Sequence, residues 1–159
     1  MSRRNSCFFQ ATCKKFYHYC SSRGIALAKR NFSLKYDTNI PRQVGLAGSS
    51  AIVTATLKCL MEFFHVTDKD LPKQIQPQFI LDVEVAELCI NAGLQDRVVQ
   101  VYEGLVYMDF SEELLNSQGY GDYVNLTFNQ EKSPPNFFLC YPSGSPSDSG
   151  KIHSTVRAR

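Results

Sequence analysis

Pro41-Arg-Gln-Val-Gly-Leu-Ala-Gly-Ser-Ser-Ala51 sets two glycines and two hydroxyls directly before a long apolar run, a spacing that can hold an anion. Gly45 and Gly48 admit backbone torsions and a close approach that a side chain would block, and Ser49 and Ser50 offer capping oxygens where a helix starts. Amides left unpaired there, with the positive end of the helix dipole behind them, would point at a phosphate. Either serine hydroxyl, placed beside a triphosphate, could also ligate Mg2+. The loop is neither a Gly-Lys-Ser/Thr phosphate loop nor Gly-x-Gly-x-x-Gly. Taken alone, its composition also suits an ordinary strand-to-helix turn. Further along, Asp96 could act as a base or simply cap a short helix through Val98, Val99 and Val101. Arg97 could neutralise a phosphate or a carboxylate, or form a surface salt bridge. Glu84 and Glu87 stand three apart, hence on one helical face, where a solvated acidic stripe is the plainer explanation.

The order Pro41, Gly45-Leu46, Gly48-Ser49-Ser50-Ala51 resembles the second motif of the GHMP kinases, usually Pro-x-x-x-Gly-Leu-Gly-Ser-Ser-Ala, with one extra residue, Ala47, between Leu46 and Gly48. Tyr36-Asp-Thr-Asn-Ile-Pro-Arg-Gln-Val-Gly45, Ala92-Gly-Leu-Gln-Asp-Arg-Val-Val-Gln-Val-Tyr102 and Gly104-Leu-Val-Tyr-Met-Asp-Phe110 are similar to the branch that phosphorylates D-glucuronate at its anomeric hydroxyl. The resemblance runs from about Ala11 to the end of the chain. It implies ATP and Mg2+ as cofactors, a sugar acid as substrate, and ATP phosphates wrapped by Pro41, Val44, Gly45, Leu46, Ala47, Gly48, Ser49, Ser50 and Ala51. Asp96 occupies the place of the family's catalytic aspartate. The metal is implied to lie on Ser49 or Ser50 with a helical glutamate, Glu87 before Glu84, and Arg97 is the candidate for substrate binding. The implied fold is α+β, the family's N-terminal domain with a ribosomal-protein-like left-handed β-α-β crossover.

Complete GHMP kinases are longer and have two domains, and neither the family's first motif nor its third is visible here. The chain therefore reads as incomplete at both ends: residues 1–10 are an unassigned segment, 11–141 a partial N-terminal domain, and 142–159 a linker entering a truncated second domain. Two rival readings accompany the kinase: a non-catalytic nucleotide-binding fragment, and an interaction module with a purely structural Gly-Ser turn.

Size and charge set outer bounds. With 159 residues and 43% apolar content the chain can bury one core. Net charge is +2, but residues 1–36 hold eight of the 17 basic residues and no acid. That basic start invites a transit-peptide reading, yet it runs into apolar periodicity that a core needs, so a structural role is expected. No apolar run suggests a membrane span, nucleic acid is not an expected partner, and the composition fits a cytoplasmic protein. Six cysteines and three histidines show no metal-ligand spacing, so reduced and mostly buried thiols are expected.

The elements that must position the loop follow from periodicity. Phe9, Cys13, Phe16, Tyr17 and Cys20 predict a helix stopped by Gly24, and Phe32, Leu34 and Tyr36 alternate as a strand. Residues 49–64 are apolar on nearly every face (Ile52, Val53, Ala55, Leu57, Cys59, Leu60, Phe63), predicting a central buried helix. Pro77 opens a second helix to about Asn91, ended by Gly93. Residues 105–110 and 137–141 read as strands joined by a polar loop, and Lys151 onward as the start of another helix, with no role assigned to Lys151 or His153.

Overall fold

The computed structural model describes residues 3–41, 44–127 and 135–141. Helix α1 (Arg3–Ser22) is followed by an irregular stretch, then α2 (Gly48–Phe64), α3 (Gln76–Asp82), α4 (Gln95–Tyr102), β1 (Leu105–Asp109), α5 (Glu112–Gln118) and β2 (Asp122–Leu126). A short 3-10 turn, Lys73–Ile75, leads into α3, and a π-helical segment, Val83–Glu87, continues it. β1 and β2 pair antiparallel, with Leu105 opposite Leu126 and Tyr107 opposite Val124. Helices packed with a small antiparallel sheet make the fold α+β.

The core forms where the helical stripes meet. Phe16 and Cys20 from α1, Val53, Leu57 and Leu60 from α2, and Phe79, Ile80 and Val83 from α3 and its π extension are all buried together. Burying a side chain the size of Phe16 or Leu57 contributes about 1.5–3 kcal/mol each. Phe16 stacks against Phe64 at 6.0 Å between ring centroids, fixing α1 on the last turn of α2. That turn closes at His65, whose left-handed φ of 57° lets the Val66 amide donate to the Met61 carbonyl at 2.9 Å. No helix among the described residues is long and apolar enough to cross a membrane.

Several expectations need correction. Residues 32–36 form no ladder; no strand is offered to them among the described residues, and Phe32 instead packs on Phe63 and Phe64 while Tyr36 meets Phe9. Residues 137–141 likewise stay unpaired, with Phe137, Phe138 and Leu139 exposed. The supposed polar loop after β1 holds α5 and β2. α2 is not buried on every side, because Ala55, Lys58 and Cys59 face outward. Among the cysteines only Cys20 is fully buried; Cys7, Cys59, Cys89 and Cys140 are exposed. The expected helix from Lys151 and the stretch 142–159 lie outside the described residues.

α1 is tied to the end of α3 and to its π extension by ion pairs. Lys14 Nζ donates to Glu87 Oε2 at 2.6 Å and Lys15 Nζ to Asp82 Oδ2 at 3.0 Å. The Lys14 hydrogen bond holds the Glu87 carboxyl below its ordinary range. A carboxyl whose folded value is lowered contributes its stability above the unfolded value and loses it as pH falls through the folded one. Lys14 is largely in water, so the pair is worth at most about 0.5 kcal/mol at neutral pH. Urea unfolding of Glu87→Gln against the parent chain is expected to show that small deficit at pH 7, and the deficit should shrink as pH falls below the ordinary glutamate range.

A candidate phosphate site

Residues 44–47 form the turn that delivers the chain to α2, and each glycine there has a separate geometry. Gly45 has φ +79°, a torsion that excludes ordinary side chains. Gly48 starts the helix, and a Cβ there would meet only Ile40 Cγ2, at 3.7 Å, so no protein atom among the described residues demands glycine at Gly48. The extra residue, Ala47, takes the strained place instead: it is the N-cap, at φ 49° and ψ 35°. A left-handed torsion on a residue with a Cβ costs roughly 1–2 kcal/mol, partly offset on replacement by the greater freedom of glycine in the unfolded chain. Ala47→Gly is therefore expected to stabilise the fold by about 0.5–1 kcal/mol, read as a raised urea midpoint.

No side chain caps α2. The amides of Gly48, Ser49 and Ser50 have no hydrogen-bond partner among the described residues, while the Ala51 amide closes the first turn on the Ala47 carbonyl at 3.1 Å. Open amides at the positive end of a 17-residue helix are a ready anion site. Ser49 and Ser50 do not act as caps, contrary to expectation, and they differ from one another. Ser50 is fully buried, donates to the Ala47 carbonyl at 2.9 Å and accepts from Gln100 Nε2 at 3.0 Å. Ser49 is half-buried and its hydroxyl has no partner among the described residues. Pro41, Val44, Leu46 and Ala51 are likewise half-buried around the turn.

Asp96 lies in the first turn of α4, where Leu94 is the N-cap, so the alternative reading of Asp96 as a helix cap does not hold. Its carboxylate is 54% exposed and takes a 3.2 Å contact from Arg97 Nη1. One turn on, Gln100 touches Ala47 and Ser50, so the face of α4 that carries Asp96 is the face that meets the turn. Apart from that contact, Arg97 turns inward. It is 4% exposed, gives Nε to Glu84 Oε2 at 2.8 Å, pairs the same oxygen through Nη2, and gives Nη1 to the Gly93 carbonyl at 2.9 Å. A guanidinium so committed has little left to offer a substrate, which departs from its expected role.

Glu84 and Glu87 do not share a face. Both lie in the π-helical segment, whose wider i→i+5 winding separates residues three apart. Glu84 turns inward to Arg97, and Glu87 outward to Lys14 on α1. Glu84 Oε1 is the one buried side-chain polar atom left without a partner among the described residues. No three His, Cys, Asp or Glu side chains gather into a metal cluster there. Of the four expected metal donors, only Ser49 presents an unpartnered oxygen at the turn. Gln100 is the residue sequence reasoning missed; its place four after Asp96 on the same helical face was the available signal.

The model of the GHMP kinases N terminal domain matches residues 8–104. The chain belongs to the GHMP kinases. Probable glucuronokinase 2 of Arabidopsis thaliana is 53% identical over 150 residues, covering 94% of this chain and 39% of the relative. Glucuronokinase 1 of Arabidopsis thaliana is 52% identical over 149 residues, covering 94% of this chain and 40% of the relative. The chain thus spans about two fifths of the length of these relatives. No solved structure matches it.

Proposed function

We propose that the chain is the phosphate-binding part of an ATP-dependent sugar kinase that transfers a phosphoryl group to the anomeric hydroxyl of D-glucuronate. The observation that carries this reading is the 52–53% identity to two glucuronokinases across 94% of the chain. The uncapped start of α2 supports it from geometry. Residues 45–50 hold the phosphates through backbone amides, with Pro41, Val44, Leu46 and Ala51 shaping the walls. ATP supplies the transferable phosphoryl group, and Mg2+ its charge neutralisation. Ser49, whose hydroxyl is unpartnered among the described residues, would be the protein oxygen to hold that ion, which would neutralise phosphate charge. Glu84 and Glu87 are fitted to Arg97 and Lys14 instead. Asp96, exposed one helical turn before Gln100, accepts the proton of the sugar hydroxyl as its oxygen attacks the γ-phosphorus in line. The finer topology, a left-handed β-α-β crossover in a ribosomal-protein-like domain, and a cytoplasmic location belong to the same proposal.

A second reading, a nucleotide-binding segment with little turnover of its own, is favoured by the two-fifths coverage of the relatives. Phosphoryl transfer depends on holding both reactants in line, so part of a two-domain site loses most of its catalysis. The 159-residue chain is expected to consume ATP with glucuronate at a negligible rate, and a full-length kinase carrying this segment at a substantial one. A coupled ATP-consumption assay on both decides it. Full activity in the short chain would overturn the second reading, and an inert longer chain would overturn the first.

A further inference from the structure

We infer that Gln100 is a positioning residue that locks the anion turn to the helix carrying Asp96, an inference that rests on the nucleotide-binding reading above. Its side-chain amide makes three contacts across the α2–α4 interface. Nε2 donates to the Ala47 carbonyl at 3.1 Å and to Ser50 Oγ at 3.0 Å, and Oε1 lies 3.1 Å from Thr54 Oγ1, whose one proton it shares with the Ser50 carbonyl at 2.8 Å. The carbonyl of Ala47 can only accept, which fixes the nitrogen on that side. Ser50 gives its own proton to the same carbonyl, so its hydroxyl takes the second Gln100 proton.

The amide therefore fastens the one strained residue of the turn, left-handed Ala47, and the first turn of α2 behind it. No other residue of α4 gives a side-chain hydrogen bond to the turn among the described residues. Asp96 stands one helical turn from Gln100 on the same face, so this amide adds a directional tie between base and phosphate cradle to the apolar packing of Val101 with Val53 and Leu57. Glutamate is nearly isosteric but presents only acceptors at neutral pH, and would repel the Ala47 carbonyl. Methionine keeps the length and the packing without the hydrogen bonds.

The test uses the 159-residue chain with Gln100→Glu, Gln100→Met and Thr54→Val. Two quantities are read: the affinity for Mg·ATP, by titration of a fluorescent ATP analogue, and amide exchange at Ala51 relative to core amides such as Leu57. Both Gln100 variants are expected to weaken nucleotide binding and to accelerate Ala51 exchange, each about tenfold, with Leu57 protection unchanged. Thr54→Val, which leaves both donations to the turn intact, is expected to change either by no more than about twofold. Unchanged affinity in Gln100→Met, with Leu57 still protected, would overturn the inference. So would a Thr54→Val effect as large as the Gln100 effects. A parent chain that binds no Mg·ATP would instead remove the nucleotide reading, and Ala51 exchange would still decide whether Gln100 holds the turn.

Discussion

Asp96→Asn, introduced into a full-length kinase carrying this segment, is expected to lower turnover about 10²–10⁴-fold, the usual worth of a positioned general base. Asparagine keeps the shape and the Arg97 contact but cannot take a proton. Nucleotide affinity should stay within about twofold, because the phosphates are held by backbone amides of another element. Steady-state kinetics with ATP and glucuronate, together with a nucleotide titration, separate the two quantities. A variant that turns over normally would remove Asp96 as the base and leave the phosphate site standing.

Breaking the Glu84–Arg97 pair is expected to be the costliest change to the fold itself. Both side chains are sealed from water, Glu84 completely, and removing one leaves the other as an uncompensated buried charge. Such losses run about 3–5 kcal/mol, so Arg97→Met alone should consume a large share of a small domain's stability. Replacing both, Glu84→Leu with Arg97→Met, should recover most of the loss, since desolvating two charges nearly cancels their attraction. Urea unfolding of the two single variants and the double variant measures this directly. A single variant within about 1 kcal/mol of the parent would show that the pair is hydrated in solution.

The parts of this fold legible in the sequence are those written in a single element. The α1 stripe through Phe16 and Cys20, the α2 start one residue from Ser49, and β1 all followed from periodicity and turn residues. The misses have separate physical causes. Phe32, Leu34 and Tyr36 alternate like a strand, but a strand also needs a partner, and alternation is silent on that. α5 carried visible signals, Glu112 and Glu113 in its first turn and Gly119 left-handed at its end, which the surrounding polar composition masked. The π segment defeated the reading of Glu84 and Glu87, since face arguments assume a 3.6-residue period and a single widened turn redirects both carboxylates.

At the site, the turn and Asp96 were legible as residue types in order, whereas their relation to one another was not. Nothing in the sequence distinguishes Ser49 from Ser50; the inward turn of Ser50 depends on Gln100, fifty residues away. The burial of Arg97 was equally hidden, because a charged residue is exposed unless a partner such as Glu84 has been buried opposite it.

The central claim, that the start of α2 holds nucleotide phosphates, is tested most directly by titrating Mg·ATP into the isotope-labelled 159-residue chain and following backbone amide resonances. The largest saturable shifts are expected at Gly45, Gly48, Ser49 and Ser50, with smaller ones at Asp96 and Gln100, and AMP should reproduce them weakly. Shifts absent from residues 45–50, or concentrated at the far end of α2, would contradict the account.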